Sequence, residues 1–248
     1  MNIVLFSAEE INLPLCRSDY RAVHILNILH KGVGDTFEAG IINGKEGIAT
    51  ITDLTEEKII FKFTPISEGK KLYPLTMIIG FPRPIQLKRL LRDVASLGVA
   101  SVHLTATELG EKSYLNSSMS QYENAYAMLK DGSVQAKSSH IPELFIHTSL
   151  KECLNSLTKV KNSLRVAFDN VKPESHLLAL ADFSQGCKAK LLDCGVVAAI
   201  GSERGWTDNE RNMLVAADFK LCGIGSRVLR TETASTVAAA LILSKMEV

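Results

Sequence analysis

Leu221–Leu243, LCGIGSRVLRTETASTVAAALIL, is the stretch whose reading decides the fold. An apolar, strand-like start runs into Gly223 and Gly225, and Arg227 and Arg230 follow. A helix comes next, with no charge between Glu232 and Lys245. Packing alone has no use for two guanidiniums between buried elements. Such a strand–glycine–helix junction leaves backbone amides free at a strand end, and glycine lets a ligand approach them closely. A second junction precedes it, VVAAIGSERGWTDNERNML over 196–214. There Ile200 ends a strand, Gly201 and Gly205 free the backbone, and Thr207 to Glu210 spell a capping box that starts a helix.

Working outward, strand and helix patterns alternate from Pro74 onward. LTMIIGF is a buried strand, PIQLKRLLRDVASLG a helix and VASVHLTAT a strand. A longer helix is expected over roughly 119–136, with strands at PELFIH, SLRVAFD, CGVVAAIG and FKLCGIG. This alternation predicts an α/β fold, a mostly parallel sheet covered by helices on both faces, with ligands at the carboxyl ends of its strands. Residues 1–68 read instead as a small β-rich module with an Asn43-Gly44 hairpin and one helix within RSDYRAVHILNILH. Residues 69–74, polar and closed by Pro74, read as a linker to a second domain over 75–248.

Composition excludes more than it selects. The 248 residues are 46% hydrophobic with a formal net charge of +1, so an anionic partner must be met by local patches. Five cysteines without a C-x-x-C pair argue against a disulfide framework or zinc ribbon and for reduced thiols. His103, His140, His147 and His176 lack ligand spacing, so no metal is expected. The start MNIVLFSAEE lacks a basic n-region, and no run of eighteen apolar residues occurs; a cytoplasmic protein without membrane contact is expected. Neither G-x-G-x-x-G nor a P-loop is present, and Ser202 lies outside any G-x-S-x-G. Basic residues cluster at Arg83, Lys88, Arg89 and Arg92 with no acid among them, an anion-binding stripe. The first 70 residues carry seven Lys/Arg against ten Asp/Glu. RNA contact there needs a local patch such as Arg17, Arg21, His24 and Lys31.

IGSERGWTDNE is similar to the I-G-P-E-G-G-x-[ST]-x-x-E loop of the ribosomal RNA small-subunit methyltransferase E family, the uridine-N3 methyltransferases of 16S rRNA. IGSRVLRTETA nearly reproduces that family's L-G-x-R-[IV]-L-R-x-E-T-A. LRDVASLGVASVHL and HILNILHKGVGD resemble two further family elements, so the likeness spans essentially the whole chain. The resemblance implies an N-terminal PUA-like β-barrel used for RNA and a C-terminal SPOUT domain with a deep trefoil knot. It also implies S-adenosyl-L-methionine as cofactor, a homodimer, and rRNA processing in the small subunit. The chain departs from the family at Ser202, Arg204, Ser96 and His30, which bears on substrate identity more than on reaction type.

On that resemblance, Ile200, Gly201, Ser202, Glu203, Gly205, Ile224, Gly225, Val228 and Leu229 are expected to hold the cofactor. Arg230 is the first choice for a guanidinium beside the charge that develops on the uracil imide, followed by Arg227, with Glu203 orienting the substrate or taking the proton. Pairing of Arg230 with Glu203 or Glu232 is the structural alternative. Two functional alternatives stand beside the main reading. One is a SPOUT methyltransferase of another rRNA or tRNA nucleotide, the other a non-catalytic RNA-binding assembly protein.

Overall fold

The computed structural model describes residues 3–157, 163–180, 183 and 188–246. The chain divides into two compact units, Met1–Lys71 with Ser133–Ile141, and Leu72–Gly132 with Pro142–Val248.

In the first unit, strands β1 (Val4–Phe6), β2 (Leu15–Cys16), β3 (Thr36–Ile41), β4 (Glu46–Leu54) and β5 (Lys58–Ser67) form a curled mixed sheet in the order β1-β3-β4-β5-β2. β1 and β3 run parallel, and the remaining pairs are antiparallel. Alternation along the strands puts Phe37, Ala39, Ala49, Ile51, Ile59 and Phe61 into one core with Phe6 and Ile25. The expected hairpin joins β3 to β4, with Asn43 in the left-handed region at φ 55°. Its turn is held from Ser133–Ile141. The Ser139 hydroxyl donates to the Gly44 carbonyl (2.6 Å), and Asn43 Oδ1 accepts from the Ile141 amide (2.9 Å). The helix expected within 17–30 is shorter and less regular than its pattern suggests. It is one turn, α1 (Tyr20–Val23), capped by Asp19, followed by a π-helical turn over His24–Ile28.

The second unit is built on a seven-stranded sheet of β6 (Tyr73–Gly80), β7 (Val99–Thr105), β8 (Glu143–His147), β9 (Leu164–Phe168), β10 (Ser175–His176), β11 (Val196–Ile200) and β12 (Lys220–Gly223). Its order is β10-β12-β9-β11-β6-β7-β8, and every neighbouring pair is parallel. The central strands read as unbroken apolar runs because helices cover both faces; all five residues of β11 are buried. The helices are α2 (Pro84–Ser96), α3 (Lys112–Leu115), α4 (Tyr122–Gln135), α5 (Leu150–Ser156), α6 (Lys188–Cys194), α7 (Asp208–Ala216) and α8 (Thr231–Lys245). The short helices α3, α5 and α6 and the two-residue strand β10 carry too little periodicity to be read from sequence. Among the described residues, no helix is long and apolar enough to cross a membrane.

α8 packs on β6, β11 and α2. It buries Thr231, Ser235, Ala238, Ala239, Ile242 and Leu243, spaced at three and four residues, while Thr233, Ala240 and Ser244 on the other face stay exposed. Within one chain this helix is covered on one side only.

Candidate active site

The register sets the floor of the site. Phe168 of β9 lies beside Ile200 of β11 on one side and Cys222 of β12 on the other. Three adjacent strands therefore end together, and the loops that leave them enclose a cavity of about 200 Å³. Its walls are 168–171 after β9, 200–205 after β11, and the 222–229 run into α8, closed by Thr231 and Ala234. This is the carboxyl edge of a parallel sheet, where open α/β folds bind ligands.

Each wall is fixed by its own chemistry. The 201–205 loop is a tight turn in which the Gly205 amide donates to the Ser202 carbonyl at 2.8 Å. It crosses the end of β6 so closely that a Cβ on Gly80 would stand 2.4 Å from the Ser202 amide nitrogen, which only glycine permits. Thr107 donates to the Ser202 hydroxyl (2.8 Å), so this serine is anchored by a side-chain hydrogen bond. Glu203 accepts the Arg83 amide (2.9 Å), joining the loop to the segment before α2. The Thr207–Glu210 capping box forms as expected and starts α7, and Trp206 Nε1 donates to the Phe168 carbonyl (3.1 Å). The buried Thr231 hydroxyl donates to the Gly201 carbonyl (3.3 Å), tying the first turn of α8 to the same loop.

The 169–171 wall rests on Asp169. One of its oxygens accepts the Val171 and Lys172 amides (2.6 and 2.8 Å), and the other pairs with the Arg211 guanidinium of α7. Burial pushes the Asp169 carboxyl up, but Arg211 and the two amides outweigh it and hold the group below the ordinary carboxylate range. The third wall is more open. Gly225 sits at φ +136° with nothing within 4 Å of where a Cβ would be, leaving its backbone bare toward the space in front.

All nine residues expected at the cofactor, Ile200, Gly201, Ser202, Glu203, Gly205, Ile224, Gly225, Val228 and Leu229, line this one cavity together with Arg227. Arg230 does not line it. It is exposed at the N-cap of α8, between Leu229 and Thr231, which do. Neither arginine has an ion-pair partner among the described residues, so Arg230 is not spent on Glu203 or Glu232. The sequence reading missed the first wall entirely. The turn dipeptide Asp169-Asn170 at the end of β9 is a detectable signal, but its adjacency to the two glycine loops exists only in the folded sheet.

The basic residues divide. Arg83, Lys88 and Arg89 are exposed, whereas Arg92 pairs with Asp131 (3.0 Å). In the first unit Arg17 is exposed, but Arg21 directs all five donors inward, to Glu10, Asp19 and the Leu5 carbonyl. Its guanidinium also lies 4.8 Å from the Phe6 ring centroid, so Arg21 serves the fold rather than an exposed patch. His24 is half-buried, with a buried Nε2 that has no partner among the described residues, and Lys31 is half-buried. The histidines are not all isolated, as their spacing suggests: His103 and His147 meet at 3.0 Å.

Residues 69–243 match the model of the RNA methyltransferase domain family. The chain is 39% identical to the ribosomal RNA small subunit methyltransferase E of Treponema pallidum, covering 98% of this chain and 91% of that one. It is 30% identical to the ribosomal RNA small subunit methyltransferase E 1 of Borreliella burgdorferi, covering 99% of each. Its fold is also that of the ribosomal RNA small subunit methyltransferase E of Neisseria gonorrhoeae, solved bound to S-adenosyl methionine. That likeness has a TM-score of 0.75 and 18% identity over 98% of this chain and 97% of that one. Two glycine loops beside a third strand end, a family match over residues 69–243 and whole-length relatives lead to one conclusion: the chain belongs to the ribosomal RNA small subunit methyltransferase E family.

Proposed function

We propose that this protein is an S-adenosylmethionine-dependent methyltransferase that modifies N3 of a uridine in small-subunit (16S) ribosomal RNA, acting as a cytoplasmic homodimer. The observation that carries the reading is the cavity at the ends of β9, β11 and β12, with glycines on two of its walls and Arg227, without an ion-pair partner among the described residues, beside the open Gly225 on the 222–229 wall. The residues fit the cofactor. Ile200, Ile224, Val228 and Leu229 offer apolar surface for its adenosyl part, while the backbone of 200–205 and 223–229 offers polar groups for its edges and for the methionine part. When bound, S-adenosylmethionine supplies an electrophilic methyl group.

The chain's residues supply the rest. N3 of uracil carries a proton and no available lone pair, so negative charge spreads over N3, O2 and O4 as that proton leaves. A guanidinium fixed beside that charge lowers the barrier electrostatically. Arg227, which shares the cavity lining with Arg204, and Arg230 at the α8 N-cap are the two assigned this role, and neither has a carboxylate partner among the described residues. Glu203, held by the Arg83 amide, orients the loop against the RNA-facing segment Arg83–Lys88–Arg89.

In this reading the first unit is a PUA-like barrel that contacts RNA through Arg17 and Lys31, and the second is a SPOUT domain whose chain end is knotted. The insertion of β11 between β9 and β6, with α8 packed behind, supports the latter. The uncovered face of α8 supports the dimer. Calorimetry with S-adenosylmethionine tests the reading. Wild type binds one equivalent per chain, and Gly225→Val, which puts a branched side chain at φ +136°, binds none. Unchanged binding in that variant places the cofactor elsewhere.

A further inference from the structure

On the other flank of the seven-stranded sheet, a second cluster of reactive side chains lies apart from the cavity. His103 of β7, His147 of the edge strand β8 and Cys153 of α5 are all buried. They come from three elements and are separated by 44 and 6 residues in sequence. The two imidazoles stack nearly parallel, at 8°, with His103 Nδ1 3.0 Å from His147 Nε2. One ligand atom from each of the three residues falls within 4.8 Å of the others. Ser149 caps α5 by accepting the Glu152 amide (3.2 Å), which turns Leu150 and Cys153 toward the sheet. Neither the cavity chemistry nor RNA contact uses this cluster, and aliphatic side chains would fill the same space without polar atoms.

We infer that His103, His147 and Cys153 form a binding site for one thiophilic d¹⁰ ion, Zn²⁺ or Cu⁺. Two imidazole nitrogens and one thiolate are a donor set that both ions accept. Around a single ion, with metal–nitrogen and metal–sulfur bonds of about 2.0 to 2.3 Å, such donors stand roughly 3.3 to 3.8 Å apart. The observed spacings, 3.0 Å between the imidazoles and at most 4.8 Å overall, bracket that range, so small side-chain rotations close the site. Protonation also suits it. Burial lowers both His103 and His147, which favours neutral rings, and the ring that donates across the 3.0 Å pair moves its proton to its other nitrogen so that both facing nitrogens offer lone pairs to the ion. Burial pushes the Cys153 thiol up to about 12, so its S–H bond breaks, and the proton passes to solvent, only as the S–metal bond forms. Cu⁺ with one thiolate leaves no net charge in the core. Zn²⁺ leaves +1, which the neighbouring Glu152 carboxylate offsets. Either ion would staple the edge strand β8 to α5.

Untagged full-length protein is stripped of metal, loaded with Zn²⁺ alone or with Cu⁺ under an anaerobic reductant, desalted and assayed for metal. The expected result is one equivalent of one of these ions per chain. X-ray absorption then reads a mixed nitrogen and sulfur shell, and Co²⁺ substitution gives a thiolate-to-metal charge-transfer band. Cys153→Ser loses the band and the sulfur shell; Cys194→Ser keeps both. If Cys153→Ser does not fold, the wild-type absorption shell decides alone. Uptake of neither ion, a shell without sulfur, or spectra unchanged in a folded Cys153→Ser overturns the inference and leaves a hydrogen-bonded histidine pair as core packing. None of these readouts depends on methyl transfer, so failure here and failure of the proposed activity are separable.

Discussion

Replacing Arg211 by methionine tests how the first wall of the cavity is held. The variant keeps an unbranched side chain of similar reach but removes the charge opposite Asp169, whose side chain is 1% exposed. It also removes a bond to Asp208, but that carboxylate is 71% exposed and retains Lys172, so about 0 to 1 kcal/mol at most is at stake there. Breaking a buried pair by removing one partner costs about 3 to 5 kcal/mol. Protonation sets a ceiling. Neutralising a carboxyl whose unfolded value is ~3.9 costs about 4 kcal/mol at pH 7, at about 1.36 kcal/mol per unit. The Val171 and Lys172 amides still support the ionised form, so a loss of about 3 kcal/mol is expected at pH 7. In wild type the depressed Asp169 group contributes stability above ~3.9, and this is lost as pH falls through its native value. In Arg211→Met the native carboxyl rises instead, so the penalty of the unpaired carboxylate shrinks as pH falls, to about 1.5 kcal/mol at pH 5, while the lost wild-type contribution is the same at both pH values. Urea denaturation at the two pH values reads a gap that is smaller at pH 5 than at pH 7, and the melting temperature at pH 7 falls by roughly 6 to 12 °C. A variant within about 1 kcal/mol of wild type at pH 7, or a gap equal at both pH values, refutes the account of Asp169.

Gly80→Ala forces backbone apart where the Ser202 amide passes 2.4 Å from the new Cβ, and is expected to abolish cofactor binding while lowering the melting temperature; retention of both shows that the loop yields. Arg227→Ala and Arg230→Ala are each expected to slow methyl transfer to 16S rRNA by about 10²- to 10³-fold in single-turnover assays. Because neither residue has an ion-pair partner among the described residues, melting temperature holds. Arg230→Lys recovers only part of the rate, since a point charge cannot span two acceptor atoms as a planar fork does; a destabilised but fully active Arg230→Ala sinks the assignment. Lys88→Ala combined with Arg89→Ala should flatten the salt dependence of RNA affinity by about 0.7 to 0.9 per lost phosphate contact. An unchanged slope makes the pair a solvated helix face.

The sequence alone determined what depends on neighbours along the chain. Unbroken apolar runs such as VVAAI, bounded by glycines and alternating with helical patterns, read as strands covered on both faces, glycines at their ends mark where backbone must stay open, and T-x-x-E starts α7 because capping is a local exchange of hydrogen bonds. It also carried the family, since the two glycine–arginine loops are contiguous motifs. Tertiary structure decided whatever depends on which strands are adjacent. The order β12-β9-β11 brings Phe168 between Ile200 and Cys222 and adds Asp169 as a third wall. Pairing of β7 with β8 sets His103 against His147, and the fold of Ser133–Ile141 onto the Asn43-Gly44 turn assigns that segment to the first unit. Arg21 shows the limit most sharply. In sequence it is a basic residue beside others, and only the fold reveals Glu10, Asp19 and the Leu5 carbonyl taking every donor it has. Charge is written in the chain, but whether a charge is free is a property of three-dimensional neighbours, because hydrogen bonds and desolvation act over a few ångströms of space and not over residues of sequence.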